Sequence, residues 1–159
     1  MWKAYFKRGT TSCEGVFTIQ RSENGKITEK PINQVLARSG HPDFFNQEWV
    51  RGKSPCPRGN FKLWLDPNNK GIAAGQTGIG EFYPISSDDS RLCINENECG
   101  PMPVGAPIRK RSEIGLHEEN KWRGSAGCIV VVRHSDWIKV KSLLKKLGKT
   151  QESIDILVF

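Results

Sequence analysis

The stretch RSEIGLHEENKWRGSAGCIVV, residues 111–131, contains the end of one apolar run, EIGLH (113–117), and the start of another, CIVVVR (128–133). Both are short, rich in residues that favour strands and bounded by polar or glycine-containing segments, so they read as buried strands rather than helices. His117 ends the first run and Cys128 begins the second. The small-residue turn Gly124-Ser125-Ala126-Gly127 leads directly into the cysteine.

Outward from this pair of strands the pattern stays β-rich. SPCPRGNF (54–61) runs into FKLWLD (61–66), whose apolar residues alternate as a half-buried strand requires. GIAAGQTGIGEFYPI (71–85) reads as a loop followed by a strand, its glycines fitting neither a dinucleotide fingerprint nor a P-loop. DPNNKG (66–71) has calcium-loop character at its start, but the twelfth position is Thr77 instead of a glutamate, so it reads as a turn. WKAYFK (2–7) and GVFTIQ (15–20) are β-prone, and Glu23-Asn24-Gly25 is a turn signal. In PINQVLARSG (31–40), Ile32, Val35 and Leu36 share a helical spacing that predicts one short helix. Ser135 and Asp136 are expected to cap a C-terminal helix carrying Trp137, Val140, Leu144 and Leu147 and ending at Gly148, with SIDILVF as the last strand.

A chain of 159 residues, 36% hydrophobic and 26% charged, fits a single domain over 1–159 with a core of its own and excludes a disordered protein. Sixteen glycines and nine prolines favour many turns and short strands. The net charge of +7 favours approach to a polyanion without choosing one. Lys139, Lys141, Lys145, Lys146 and Lys149 share one helical segment and read as a solvated face, and the basic residues follow no recognised nucleic-acid motif. The first ten residues, MWKAYFKRGT, hold no apolar run of signal-peptide length, and no segment has the length and apolarity of a membrane span. Of the five cysteines, Cys93 and Cys99 can close a small disulfide loop or stand as separate turn cysteines, and Cys128 is expected to stay unpaired.

A thiol near its ordinary pKa is mostly protonated at neutral pH, so a nucleophilic cysteine needs a neighbouring imidazole. His117 can supply one to Cys128 if the intervening loop folds back and brings two strand ends together. Acyl transfer also needs N–H donors for a developing oxyanion. Ser125, Ala126 and Gly127 would leave backbone donors unobstructed, with the Cys128 N–H first among them. Taken singly, a cysteine opening an apolar strand is ordinary core and a lone histidine is ordinary structure. Their combination with the turn is what points to chemistry.

His117 followed by Ser125-Ala126-Gly127-Cys128 resembles the active-site motif of the L,D-transpeptidase (YkuD-like) family, a histidine ahead of a Ser/Thr-x-Gly-Cys turn. Ala126 stands where a second histidine is usual, and the interval from His117 is short. Both features resemble a compact subgroup with a Gly-Ser-x-Gly-Cys-Ile motif that includes secreted toxin-type effectors. Ser39-Gly40, the run from Gly52 to Phe61, Phe82 to Ile85 and Arg111 extend the resemblance over roughly residues 35–145. It implies a mainly β fold of the β-sandwich type, with a cleft ending at Cys128, the short helix, and the C-terminal helix followed by a strand. The implied chemistry is cysteine-dependent acyl transfer on peptidoglycan stem peptides at the L,D bond before D-alanine. Water, an amine or a D-amino acid as acceptor would give carboxypeptidase, transpeptidase or exchange activity through a thioacyl intermediate on Cys128. On the same resemblance no cofactor and no metal are needed, and no nucleic acid or membrane span is expected. Arg111, Asn120 and Trp122 are candidates to bind substrate, Arg111 through paired guanidinium donors to a terminal carboxylate or, alternatively, in a structural ion pair. The implied site of action is the bacterial cell wall or periplasm, reached by non-classical delivery or lysis. A non-catalytic wall-binding module on the same fold is the alternative, suggested by the missing second histidine.

Overall fold

The computed structural model describes residues 1–47, 49–50, 53–67, 81–87, 92–93, 111–112, 114–119 and 127–159. Alternation in the first segments produces β1 (Trp2–Lys7), β2 (Glu14–Glu23) and β3 (Lys26–Ser39). Asn24 (φ 50°) and Gly25 (φ 76°) turn β2 into β3, two successive positive φ angles that suit the twist of a tight hairpin. A 3-10 turn at Pro42–Phe44 follows, then β4 (Gly59–Trp64) and β5 (Tyr83–Ser86). β6 (Leu92–Cys93) and β7 (Arg111–Ser112) form a separate parallel pair. β8 (Gly115–Glu118), β9 (Ile129–Val131), α1 (His134–Leu147) and β10 (Ser153–Val158) complete the chain order.

The fold is mainly β, and its ladder runs without a break through β1-β10-β4-β5-β8-β9-β3-β2, where β2 pairs with β1 again. Where a sandwich of two sheets was expected, eight strands close into one barrel. Two of its contacts are parallel, β1 with β10 and β8 with β9. Phe6, Phe17, Leu63, Tyr83, Ile85, Leu116, Ile129 and Ile156 fill the interior. Trp137, Val140, Leu144 and Leu147 of α1 join the same core, with Trp137 edge-on to Tyr83 at 6.1 Å. The helix thus packs onto the barrel core with the face read from its spacing. Lys139, Lys145, Lys146 and Lys149 are exposed, and Lys145 pairs with Glu81 at 2.9 Å.

Two local expectations are corrected. Residues 31–40 form no helix, because all but Gly40 lie in β3. Phe17 faces Val35 and Ile19 faces Ile32, so Asn33 and Gln34 together oppose Thr18, and Gln34 takes φ 51° in this bulge. The extra residue shifts the inward phase from Ile32 to Ala37 and imitates a helical spacing. At α1, Arg133 occupies the N-cap with no side-chain cap, while Ser135 and Asp136 lie inside the first turn. Asp136 there complements the helix dipole instead of capping it.

Candidate active site

β8 and β9 lie side by side and run in parallel, with Leu116 opposite Ile129 and His117 opposite Val130. Leu116 and Ile129 point into the barrel core. By strand alternation His117, Val130 and, two residues earlier, Cys128 face outward together. Cys128 is therefore a diagonal neighbour of His117 on one face. Continuing the register by one rung sets Cys128 beside Gly115.

Gly115 is what makes room on this face. A Cβ there would lie 2.4 Å from Cζ of Phe82 and 2.6 Å from the Tyr83 carbonyl oxygen. The Phe82 ring instead covers the bare backbone of β8, stacks on His117 at 6.1 Å and 30°, and packs with Cys128 and Val130 in a small cluster outside the main core. Cys128 is 8% exposed and His117 is 4% exposed.

Burial pushes the His117 pKa below its ordinary value of 6.5, outweighing the opposite effect of its hydrogen bond to Glu118. That bond is 2.7 Å between Nδ1 and the Glu118 carbonyl oxygen. A carbonyl can only accept, so Nδ1 carries the proton and Nε2 of the neutral ring keeps the lone pair. The Glu118 carboxylate is in turn held by Nδ1 of His134 at the start of α1. The ring is thus fixed in one tautomer, with its basic nitrogen on the side away from Glu118.

The turn into Cys128 is held from behind. Gly127 has φ 116°, and a Cβ on it would lie 2.0 Å from Nη2 of Arg111. Arg111 is buried and donates to the carbonyls of Pro55 and Ser54, the latter at 2.8 Å. Ser39 Oγ donates to the Gly127 carbonyl at 3.1 Å and accepts the Cys56 N–H at 2.8 Å. Gly40, at φ 79°, lies so close to Pro55 that a Cβ would be 2.5 Å from its nitrogen. In a trans peptide C=O and N–H point opposite ways, so pinning the Gly127 carbonyl onto Ser39 aims the Cys128 N–H away from Ser39.

Of the residues singled out in the sequence, His117, Gly127 and Cys128 come together here. Arg111 lies directly behind Gly127, where its guanidinium donates to the Pro55 and Ser54 carbonyls. Asn120, Trp122, Ser125 and Ala126 lie outside the described residues. Cys93 is disulfide-bonded, and Cys99, the partner weighed for it, also lies outside them. Cys13, Cys56 and Cys128 are buried and not in disulfides. Two contributors were not read from the sequence. Phe82 was read only as part of a segment carrying the resemblance, not as a site residue; the glycine inside EIGLH was the further signal, since a glycine within a strand marks close approach of another group. Arg38, opposite Val130 on β3, bridges Glu119 at 2.6 Å and Glu14 at 2.9 Å and ties β2 and β3 to the end of β8. No family model, no curated protein and no solved structure matches the chain.

Proposed function

We propose that the protein is a cysteine acyl-transfer enzyme of the L,D-transpeptidase type, acting on peptidoglycan stem peptides at the bond before a terminal D-alanine. The observation that carries the acyl-transfer reading is the shared outward face of His117 and Cys128 on parallel strands, with Nδ1 of the imidazole bonded to Glu118. The peptidoglycan reading rests on the motif resemblance. It gains support from the meeting of Ser39-Gly40, Ser54-Pro55-Cys56 and Arg111 behind Gly127, because these are the distant segments that carry the resemblance.

On this reading the resting pair is neutral, since burial disfavours an imidazolium. Nε2 of His117 takes the thiol proton as Sγ of Cys128 attacks the carbonyl carbon, and the Cys128 N–H faces the developing oxyanion. The tetrahedral species collapses with cleavage of the C–N bond. His117 returns its proton to the departing amine of D-alanine, leaving a thioester on Cys128. Water, a side-chain amine or a free D-amino acid then attacks the thioester, passes its proton through His117 and regenerates the thiol.

Incubation with purified muropeptides, read by mass spectrometry, tests the reading. The intact protein removes or replaces the terminal D-alanine, and Cys128→Ala, similar in size but without sulfur, folds and does neither. Turnover by Cys128→Ala, or cleavage only in the glycan or at the sugar–peptide amide, would sink it. His117→Ala should lower acylation by roughly 10²–10⁴-fold, the range for losing a positioned base.

A further inference from the structure

The outer surface of β1, β10 and β4 combines unpaired positive charge with exposed apolar side chains. Ala4 and Phe6 of β1, Ile156 and Val158 of β10 and Phe61 of β4 point into the core. By strand alternation Lys3, Tyr5, Lys7, Leu157 and Lys62 point outward. Asp155 stands between Lys3 and Lys62, and Tyr5 beside Leu157. Phe159 continues β10 opposite Lys7, its N–H donating to the Phe6 carbonyl and its carbonyl accepting the Arg8 N–H. At the other end of this face Met1 and Ile27 flank Ser22. Among the described residues four large hydrophobic side chains are exposed, Met1 at 78%, Ile27 at 56%, Phe159 at 47% and Ile138 at 41%, and the first three share this face. Lys3, Lys7 and Lys62 are in no ion pair among the described residues, whereas Glu14, Glu23 and Glu29 of the neighbouring strands are held by Arg38 and Arg21. On β1, β10 and β4, Asp155 is the one outward side-chain carboxylate, so the face is net positive.

These groups narrow the chemistry of the partner. A second copy of the same face would bring unpaired lysines against one another. A single-stranded nucleic acid would need open ring faces for its bases. Here Lys3 Nζ already lies over the Tyr5 ring at 5.7 Å, and Met1 and Ile27 have no ring to stack on. An acidic protein surface would answer the lysines and leave the exposed apolar side chains against charge. An anionic bilayer answers both, because its headgroups take the lysine ammoniums while Met1, Ile27 and Phe159 reach the acyl boundary. From this combination we infer that the outer face of β1, β10 and β4 docks on an anionic phospholipid surface. The helix α1 also carries exposed lysines, Lys139, Lys146 and Lys149, but Ile138 is its one exposed large hydrophobic, so it offers charge with a single anchor.

Barrel closure sets this face opposite the candidate nucleophile. In the ladder β1-β10-β4-β5-β8-β9-β3-β2, β8 is four strands from β1 and β9 four strands from β10 in either direction. A barrel resting on β1 and β10 therefore turns the outward face of His117 and Cys128 away from the lipid. Lipid docking stands on the chemistry of the β1–β10–β4 face alone. Its use, holding the site toward a polymer that lies beside a membrane, rests on the acyl-transfer reading.

The test sediments the intact chain with vesicles of phosphatidylcholine alone or of phosphatidylcholine with about one-third phosphatidylglycerol. Binding to the anionic vesicles only is expected, with release as salt rises from about 0.01 M to about 0.5 M and screens the charges. Lys3→Gln, Lys7→Gln and Lys62→Gln should each weaken partitioning about fivefold, the equivalent of ~1 kcal/mol per lysine at a charged surface. Phe159→Ser should weaken it about tenfold through lost apolar burial. The double variant Lys139→Gln/Lys146→Gln on α1 should lose less than Lys3→Gln/Lys7→Gln, with thermal melts confirming that each variant is folded. No partitioning at low salt, equal partitioning onto neutral vesicles, or an equal or larger loss in the helix variant overturns the assignment. So does a single-stranded oligonucleotide that stays bound at salt releasing the vesicles and needs the same lysines, since the face would then serve nucleic acid. Vesicle binding by a protein that proves inactive on muropeptides would leave the docking face standing and remove only its connection to catalysis.

Discussion

His117 and Gly127 show how far single residues set the site. His117 is held neutral by burial, so its folded pKa lies below the ordinary 6.5. On the acyl-transfer reading the acid limb of kcat/KM, which reports the free enzyme, falls below that value, and a limb at or above 6.5 would mean that another group titrates. The same depression has a stability consequence. Just below pH 6.5 the unfolded chain binds a proton at this position that the folded chain does not. Stability therefore falls as pH drops from that value toward the folded pKa and levels off beneath it. His117→Gln should flatten this part of the urea-midpoint profile between pH 7 and 5. At Gly127, alanine would force a side chain into φ 116° with its Cβ on Nη2 of Arg111, costing at least about 2 kcal/mol. Arg111→Ala should also destabilise, since it strands the Ser54 and Pro55 carbonyls. The double variant should cost less than the sum of the two, because truncating Arg111 removes one source of the clash; additivity in denaturant melts would show that the two do not touch in solution. The glycine before the cysteine was legible in the sequence. Its reason was not, because Arg111 reaches it from sixteen positions earlier and the guanidinium was read as facing substrate or an ion pair.

At the scale of elements, the candidate site is a property of two parallel neighbours and the strand beside them. Parallel pairing of β8 and β9 makes His117 and Cys128 diagonal neighbours without a contribution from any third strand. Gly115→Ala tests how much the arrangement depends on Phe82. The added methyl would meet the ring at 2.4 Å and a main-chain oxygen at 2.6 Å, so overpacking should cost about 1–3 kcal/mol. On the acyl-transfer reading, turnover measured below the melting range should also fall, because a displaced Phe82 no longer stacks on His117. Lost stability with full activity would show that the ring is only a cover. The strands read at 2–7, 15–20, 61–66, 113–117 and 128–133 were legible from their short β-prone or alternating apolar runs, and the helix face of α1 from its 3.6-residue period. Residues 31–40 were misread because one extra residue at Gln34 breaks the alternation of β3, and a broken period-two pattern resembles a helical one.

The whole molecule adds what no local pattern carries. Closure of the barrel depends on β1 lying beside β10, a pairing of the two ends of the chain that alternation within either strand does not specify. The same closure sets β8 and β9, which carry His117 and Cys128, between β5 and β3, so the candidate site is framed by strands that lie far apart in the sequence.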